Sequence, residues 1–211
     1  EENKKKVCEE FGLEYSPERP LYAMVSRLVG QKGIDLIRQC ESEMKSLNAD
    51  FVFLGSGDKD YENLLIWLSN NSTNIRAYIG YRTDLANQIY AGSDFYLMPS
   101  KFEPCGLSQL IAMRYGSLPV VRATGGLEDT VTGYPLADSN GFKFWGYSGW
   151  DMMQAIYCSL GVYQDKYTFN AMRKTAMETD FSWRRSSAVY LNMYKEQSKL
   201  SCLTRFSICY I

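Results

Sequence analysis

Short apolar runs alternate with amphipathic stretches through the first two thirds of the chain. The stretch after the first run, KGIDLIRQCESEMKSL, repeats its apolar positions at steps of one, three and four residues, which is the period of one helix face. The runs end near glycine, proline or polar residues, as buried strands do. They predict strands within residues 21–29, 49–57, 75–81, 94–100 and 118–124.

Strands separated by single helices require right-handed crossovers and a parallel sheet. The pattern therefore predicts a doubly wound α/β fold with helices on both faces of the sheet. Ligands of such sheets bind at the carboxyl ends of the strands, where the strand order reverses. The loops to examine follow Arg27, Leu54, Ile79, Pro99 and Val121.

The last third changes character. NGFKFWGY is typical of one more strand, and three helical patterns follow it, in residues 149–164, 167–178 and 183–199. The sequence divides into four parts. They are a charged lead-in from a preceding domain or linker (1–20), the doubly wound domain (21–181), a carboxyl-terminal helix (182–199) and an apolar tail without an assigned role (200–211).

Composition removes several classes of function. With 23 basic and 24 acidic residues the net charge is -1, which gives no electrostatic footprint for nucleic acid or an anionic membrane. The chain has no histidine, so it cannot itself supply a Ser-His-Asp triad or a histidine metal site. Its six cysteines lack metal or redox spacing and favour reduced thiols in a cytoplasmic protein. The first residues read like the middle of a longer polypeptide.

The loop EPCGLSQL joins a predicted strand to a predicted helix. Such a loop aims free backbone amides and the positive end of the helix at an anion. We place the amides of Gly106, Leu107 and Ser108 at the first helical positions, facing a phosphate. The alternative is an ordinary helix start with Ser108 as its N-cap.

A second loop provides cations at the same sheet edge. Arg27 and Lys32 bracket a turn that contains Gly30, so the two loops together predict a diphosphate cradle. Neither the GxGxxG nor the GxxxxGK[ST] fingerprint is present. Residues 58–60 form a D-x-D pattern, which we interpret as a helix start rather than a metal site. Tyr81 ends a strand at this edge and either stacks on a base or packs against the protein.

Five segments resemble one known family. SRLVGQKGIDL, YIGY, PSKFEPCGLSQLIAMRYGSLPVVRATGGLEDTV, NGFKF and DFSW look like the carboxyl-terminal Rossmann-like domain of glycogen and starch synthases, which are retaining glucosyltransferases of the GT-B fold. The segments occur in the family's order between residues 21 and 199. The resemblance implies that this chain is one half of a GT-B fold.

The resemblance also implies a substrate and roles for single residues. The domain would bind ADP-glucose, or another NDP-glucose, for transfer with retention to the non-reducing end of an α-1,4-glucan, without a metal or cofactor. Arg27 and Lys32 would hold the diphosphate, Glu103 would contact the donor glucose, and Tyr81 would lie against the base. The remaining substrate-binding positions lie in the EPCGLSQL loop. The amides of Gly106, Leu107 and Ser108 would hold the distal phosphate, and Cys105 would be a small residue in this tight turn.

The sequence departs from the family in what it lacks. The amino-terminal domain, with its K-x-G-G-L loop and acceptor site, is not in these residues, so the α-glucan would be bound through that missing domain. We therefore expect the chain alone to bind nucleotide weakly and to catalyse nothing, and the helix after residue 182 to cross back to the missing domain. Eight residues after Glu103 stands Ile111 rather than a second glutamate, while Gln109 matches the synthase version of the motif.

Several alternatives stay open. The chain could be a non-catalytic nucleotide-sugar-binding or interaction domain, and a less favoured interpretation is an epimerase or another GT-B enzyme. The base, ADP or UDP, is not decided by Tyr81 and its neighbouring loops. A plastid would replace the cytoplasm if the source were a plant or an alga.

Overall fold

The computed structural model describes the backbone of residues 1–207 and the side chains of residues 1–198. Its centre is a parallel sheet in the order β3-β2-β1-β4-β5-β6. The strands are β1 (Leu21–Val25), β2 (Asp50–Gly55), β3 (Ile75–Ile79), β4 (Phe95–Met98), β5 (Leu118–Arg122) and β6 (Phe142–Phe144). The predicted doubly wound fold is confirmed, including the sixth strand after residue 140.

Helices cover both faces of this sheet. They are α1 (Glu2–Phe11), α2 (Ile34–Gln39), α3 (Glu41–Ser46), α4 (Lys59–Asn70), α5 (Thr83–Gly92), α6 (Ser108–Tyr115), α7 (Gly126–Thr130), α8 (Gly149–Gln164), α9 (Lys166–Glu178) and α10 (Trp183–Ser207). Successive strand residues point to opposite faces. Tyr22 and Met24 therefore pack in one core cluster with α2, α3, α4, α8 and α9, whereas Leu21 and Ala23 pack in the other with α1, α5 and α7.

The helix predicted over residues 32–47 is divided in the structure. A 3-10 turn, Gly30–Lys32, precedes α2, and the chain leaves helical geometry at Cys40 before α3. Cys40 contacts the start of α8, where a Cβ on Gly149 would lie 2.4 Å from its Sγ, and the Gly149 amide donates to Gln39 Oε1 at 2.9 Å. This packing overrides the helical propensity of the continuous sequence pattern.

The strand order reverses between β1 and β4, and the sheet opens there. β1 pairs with β2 through five residues, Leu21 to Val25, but with β4 only at Tyr22 and Ala23. The carboxyl ends of β1 and β4 therefore separate, which is the geometry of a ligand crevice at a topological switch point.

Helix α1 packs against α5 and the start of β4. Lys4 is buried, and its ammonium lies 2.7 Å from Asp94 Oδ2 and donates to Arg19 O at 2.8 Å. Gly92 of α5 allows α1 to approach closely, since a Cβ there would lie 2.7 Å from Asn3 O. Residues 1–20, predicted as a lead-in, thus contribute a packed helix to the compact unit Glu1–Glu178.

The second unit, Thr179–Ile211, contains α10. Asp180 precedes this helix and accepts a hydrogen bond from the Ser182 amide at 2.8 Å. The helical backbone continues beyond residue 199 through most of the predicted tail, and residues 208–211 lie outside the described part of the chain. The domain division drawn from the sequence stays a prediction. Within residues 1–207 no helix has the length and apolar character needed to cross a membrane.

Candidate functional site

The loops after β1 and β4 meet across the crevice. Gly33 has φ +80, and a Cβ there would lie 2.1 Å from Pro99 O, so the first loop touches the backbone of the second. The Lys101 amide donates to Gln31 O at 2.8 Å, and Gln31 Nε2 donates to Phe102 O at 3.0 Å. Only a glycine can occupy position 33 without forcing these loops apart.

A glycine pair supports the loop after β4 from the other side. The Gly126 amide donates to Glu103 O at 2.9 Å. A Cβ on Gly126 would lie 1.8 Å from Cys105 O, and one on Gly125 would lie 2.2 Å from Glu103 O. The TGG sequence therefore serves the close approach of α7 to this loop.

The helix after this loop begins later than the sequence predicts. α6 starts at Ser108, with Leu107 at the N-cap position and no side-chain cap, so the free amides of its first turn belong to Ser108, Gln109 and Leu110. The placement of Gly106 and Leu107 in the first turn is wrong, and so is the alternative with Ser108 as N-cap. The reason is Gly106, whose φ of +73 lies in the left-handed region and prevents the helix from including it.

Gln109 is a structural residue that the sequence pattern did not explain. It is fully buried, and the two protons of its Nε2 are shared among Gly106 O at 3.0 Å, Thr130 Oγ1 at 3.1 Å and Cys105 O at 3.3 Å. The side chain thereby fixes the turn against α7. The only signal in the sequence was its presence in the family motif.

Lys32 and Glu103 form an ion pair across the crevice. Lys32 Nζ lies 2.5 Å from Glu103 Oε2, and their side chains are 17% and 10% exposed. Ser100 Oγ donates to the same carboxylate oxygen at 3.2 Å. The residue predicted to hold phosphate and the residue predicted to contact sugar are therefore direct neighbours, which their separation in the sequence did not reveal.

Arg27 lies at the junction of two cavities. One, of about 270 Å³, extends over the ends of β2 and β3 to Tyr81, and the other, of about 210 Å³, lies between the separated ends of β1 and β4 beside Lys32. Arg27 and Ser108 line both cavities. The Arg27 side chain is exposed, and its guanidinium has no hydrogen-bond or ion-pair partner among residues 1–198. A cation in this state is available to an anionic ligand.

Tyr81 projects from the loop after β3. It is 87% exposed and lines the 270 Å³ cavity. The exposure contradicts the alternative in which Tyr81 packs against the protein, and it leaves the ring face accessible. The neighbouring Arg82 is held by Glu10 at 2.7 Å and by Asp84 at 2.5 Å.

Three predicted substrate-binding residues line neither cavity. Cys105, Gly106 and Leu107 all lie in the turn before α6; the Cys105 thiol is free and exposed, and the Leu107 side chain is 68% exposed. Their contribution within this structure is to the path of the backbone. Glu103 reaches the second cavity through its contact with Lys32.

Tyr96 supports the crevice from within and was not identified from the sequence. Its hydroxyl donates to Val25 O at 2.8 Å and accepts from the Val25 amide at 3.1 Å, beyond the last β1–β4 pair. Burial raises the pKa of Tyr96 well above its usual value, so the hydroxyl stays protonated. The phenol thereby satisfies strand-end groups that the opened sheet leaves without a partner.

The D-x-D pattern forms a helix start, as predicted. Asp58 is the N-cap residue of α4, Asp60 lies in its first turn, and Lys59 pairs with Glu62 at 2.6 Å. Over the described residues no group of three cysteine, aspartate or glutamate side chains is arranged to hold a metal ion.

Comparison with known proteins assigns this architecture to a class. The profile of the glycosyl transferases group 1 family matches residues 9–144. The chain belongs to this family of glycosyltransferases, and its sheet is one half of a GT-B fold.

Individual relatives narrow the class. The chain is 47% identical over 196 residues to the glycogen synthase of Exiguobacterium sibiricum and 43% identical over 197 residues to that of Bacillus cereus, in each case over 92% of this chain and 41% of the relative. The catalytic domain of Starch Synthase IV from Arabidopsis thaliana, solved bound to ADP and acarbose, matches with TM-score 0.84 and 35% identity over 93% of this chain and 42% of that one. The resemblance to glycogen and starch synthases is confirmed, and the chain spans less than half of these relatives.

Proposed function

We propose that this chain is the carboxyl-terminal, nucleotide-sugar-binding half of a glycogen or starch synthase that uses ADP-glucose. The observation that carries the proposal is the unpartnered Arg27 guanidinium at the junction of two cavities, beside the Lys32–Glu103 pair and the first turn of α6. A diphosphate needs cations and oriented amides, and both converge at this sheet edge.

Each group has a place in donor binding. The base lies in the 270 Å³ cavity against Tyr81, and the diphosphate spans Arg27, Lys32 and the amide end of α6. Glu103 accepts hydrogen bonds from glucose hydroxyls, while its contact with Lys32 fixes both side chains. ADP is favoured because the Arabidopsis neighbour was solved with ADP.

The reaction proposed is front-face transfer with retention to the non-reducing end of an α-1,4-glucan. Charge develops on the departing phosphate, and Arg27 and Lys32 stabilise it. The phosphate oxygen then takes the proton of the acceptor hydroxyl. The acceptor binds through an amino-terminal domain that these residues do not contain, so the chain alone binds nucleotide without catalysing transfer. We place the full protein in the cytoplasm, or in a plastid in a plant or alga.

Calorimetric titration of this chain with ADP and UDP tests the proposal. We expect ADP to bind with a Kd on the order of 0.1 mM and UDP to bind more weakly. Inorganic phosphate serves as the control for simple anion binding. If neither nucleotide binds more tightly than phosphate, the donor-site proposal is wrong.

A non-catalytic nucleotide-sugar-binding domain is the second candidate, because the cavities beside Arg27 and the Lys32–Glu103 pair favour binding of a diphosphate without by themselves requiring transfer. Glucan elongation from ADP-glucose by the full polypeptide that carries this chain separates the two. Elongation supports the synthase. ADP binding by the full polypeptide without elongation supports the binding domain.

Glu103→Gln is expected to strengthen ADP binding while abolishing glucose transfer by the full polypeptide. The glutamine still accepts from Lys32, but the negative charge beside the phosphate site is gone, so we expect about fivefold tighter ADP binding. Titration of ADP into the variant measures this gain.

Glu128→Gln is the matched control, because Glu128 pairs with Lys143 at 3.0 Å and lines neither cavity. It should leave ADP affinity unchanged. Weaker ADP binding in Glu103→Gln would contradict the assigned role of Glu103.

A further inference from the structure

Tyr147 joins the segment after β6 to the Lys32 turn. Its hydroxyl lies 2.6 Å from Asp35 Oδ1 and 3.2 Å from Gly30 O. The single phenolic proton is directed mainly to the carboxylate, and burial beside Asp35 raises the pKa of Tyr147, which keeps that proton in place. Gly30 begins the 3-10 turn and Asp35 lies in the first turn of α2, so this one hydroxyl spans both ends of the segment that carries Lys32.

The ring of Tyr147 lies close to two cations, one of them in the loop after β4. Lys101 Nζ lies 5.6 Å and the Arg122 guanidinium 5.5 Å from the ring centroid. Arg122 in turn donates to Lys101 O at 2.7 Å, Ser100 O at 3.4 Å and Trp145 O at 3.2 Å. Arg122 therefore ties the loop that carries Glu103 to the segment that carries Tyr147.

The position of the Lys32 ammonium depends on the contacts that hold its turn. Its ammonium sits at the end of a flexible four-carbon stem, so the position of the charge depends on where the turn backbone lies. The turn itself contributes only two short-range backbone bonds, Lys32 N to Val29 O at 2.9 Å and Gly33 N to Gly30 O at 3.1 Å. The remaining hydrogen bonds of the turn join it to the loop after β4 and to Tyr147.

We propose that Tyr147 is a positioning residue for the donor site, which acts on nucleotide binding through Lys32 without touching the ligand. Tyr147 lines neither cavity, whereas Arg27 and Lys32, the two cations assigned to the diphosphate, do. This inference rests on the proposed function and adds a residue from the β6–α8 connection to it. The pairing of β6 with β5 places the segment that carries Tyr147 beside the crevice.

The test is a double-mutant cycle on ADP affinity, measured by NMR titration of this chain. Tyr147→Phe keeps the ring and removes only the hydroxyl, and we expect it to weaken ADP binding about fivefold. In the Lys32→Met background the same change should weaken binding by less than about twofold, because the group through which Tyr147 acts is absent. Asp35→Asn, which keeps the acceptor oxygen, should bind ADP like the wild type.

Tyr157→Phe is the matched control. Its hydroxyl also donates to a carboxylate, Glu43 Oε1 at 2.5 Å, but away from both cavities. It should leave ADP affinity unchanged. An equal loss from Tyr147→Phe with and without Lys32, or no loss in the wild-type background, overturns the positioning role while the donor site stands. Absence of ADP binding by the wild type overturns the donor site and this inference together.

Discussion

Arg27→Ala is expected to weaken ADP binding by this chain between about tenfold and a hundredfold while leaving its folding stability almost unchanged. The guanidinium lines both cavities and has no partner among residues 1–198, so folding does not depend on it. A hydrogen-bonded charge pair with phosphate contributes about 1.5–3 kcal/mol. Surface substitutions of this kind change the free energy of unfolding by less than about 0.5 kcal/mol. Titration calorimetry and urea unfolding measure the two quantities.

Arg38→Ala is the control for Arg27. Arg38 lies over the ring of Tyr61 at 5.8 Å and lines neither cavity. The substitution removes the same positive charge from the chain as Arg27→Ala does. ADP affinity should stay at the wild-type value. Equal losses in the two variants would mean that net charge, rather than a specific contact of Arg27, determines binding.

Gly33→Ala is expected to lower the free energy of unfolding by about 3 kcal/mol. Two effects add: a φ of +80 is unfavourable for alanine, and its Cβ would lie 2.1 Å from Pro99 O. The loops cannot simply separate, because Lys101 N donates to Gln31 O beside this contact. Urea unfolding with an unchanged slope measures the loss of stability.

Two other glycines separate the causes. Gly12 has φ +62 but no heavy atom within 4 Å of an added Cβ, so Gly12→Ala should cost only about 1 kcal/mol, which is the backbone contribution. Gly161 lies within α8 with open space around it, and Gly161→Ala should stabilise the chain by about 0.5–1 kcal/mol. If Gly33→Ala costs no more than Gly12→Ala, the close approach of the two loops is not a constraint on stability.

The sequence predicted the fold through patterns that are local. Apolar runs with glycine or polar exits located the six strands, and single helices between them required a parallel doubly wound sheet. The exceptions arose where a distant contact outweighed the local preference. The break at Cys40 depends on α8, which is more than a hundred residues further along the chain.

The sequence predicted which residues of the candidate site lie at the carboxyl ends of the strands. Arg27, Lys32, Tyr81 and Ser108 were expected at one sheet edge, and they line two adjoining cavities there. The sequence-based start of α6 was wrong because the sequence does not show whether the φ of a loop glycine is positive or negative. At Gly106 that sign decides which amides are free.

The sequence by itself determined the sheet, the edge that carries the site and the cations available there, because periodicity and residue type are properties of short stretches. Only the tertiary structure decided that Lys32 pairs with Glu103, that Gln109 and Tyr96 fix the surrounding backbone, and that Tyr147 reaches the Lys32 turn. These contacts join segments that are separate in the chain. Their partners are set by strand order and by the opening between β1 and β4, which no local pattern encodes.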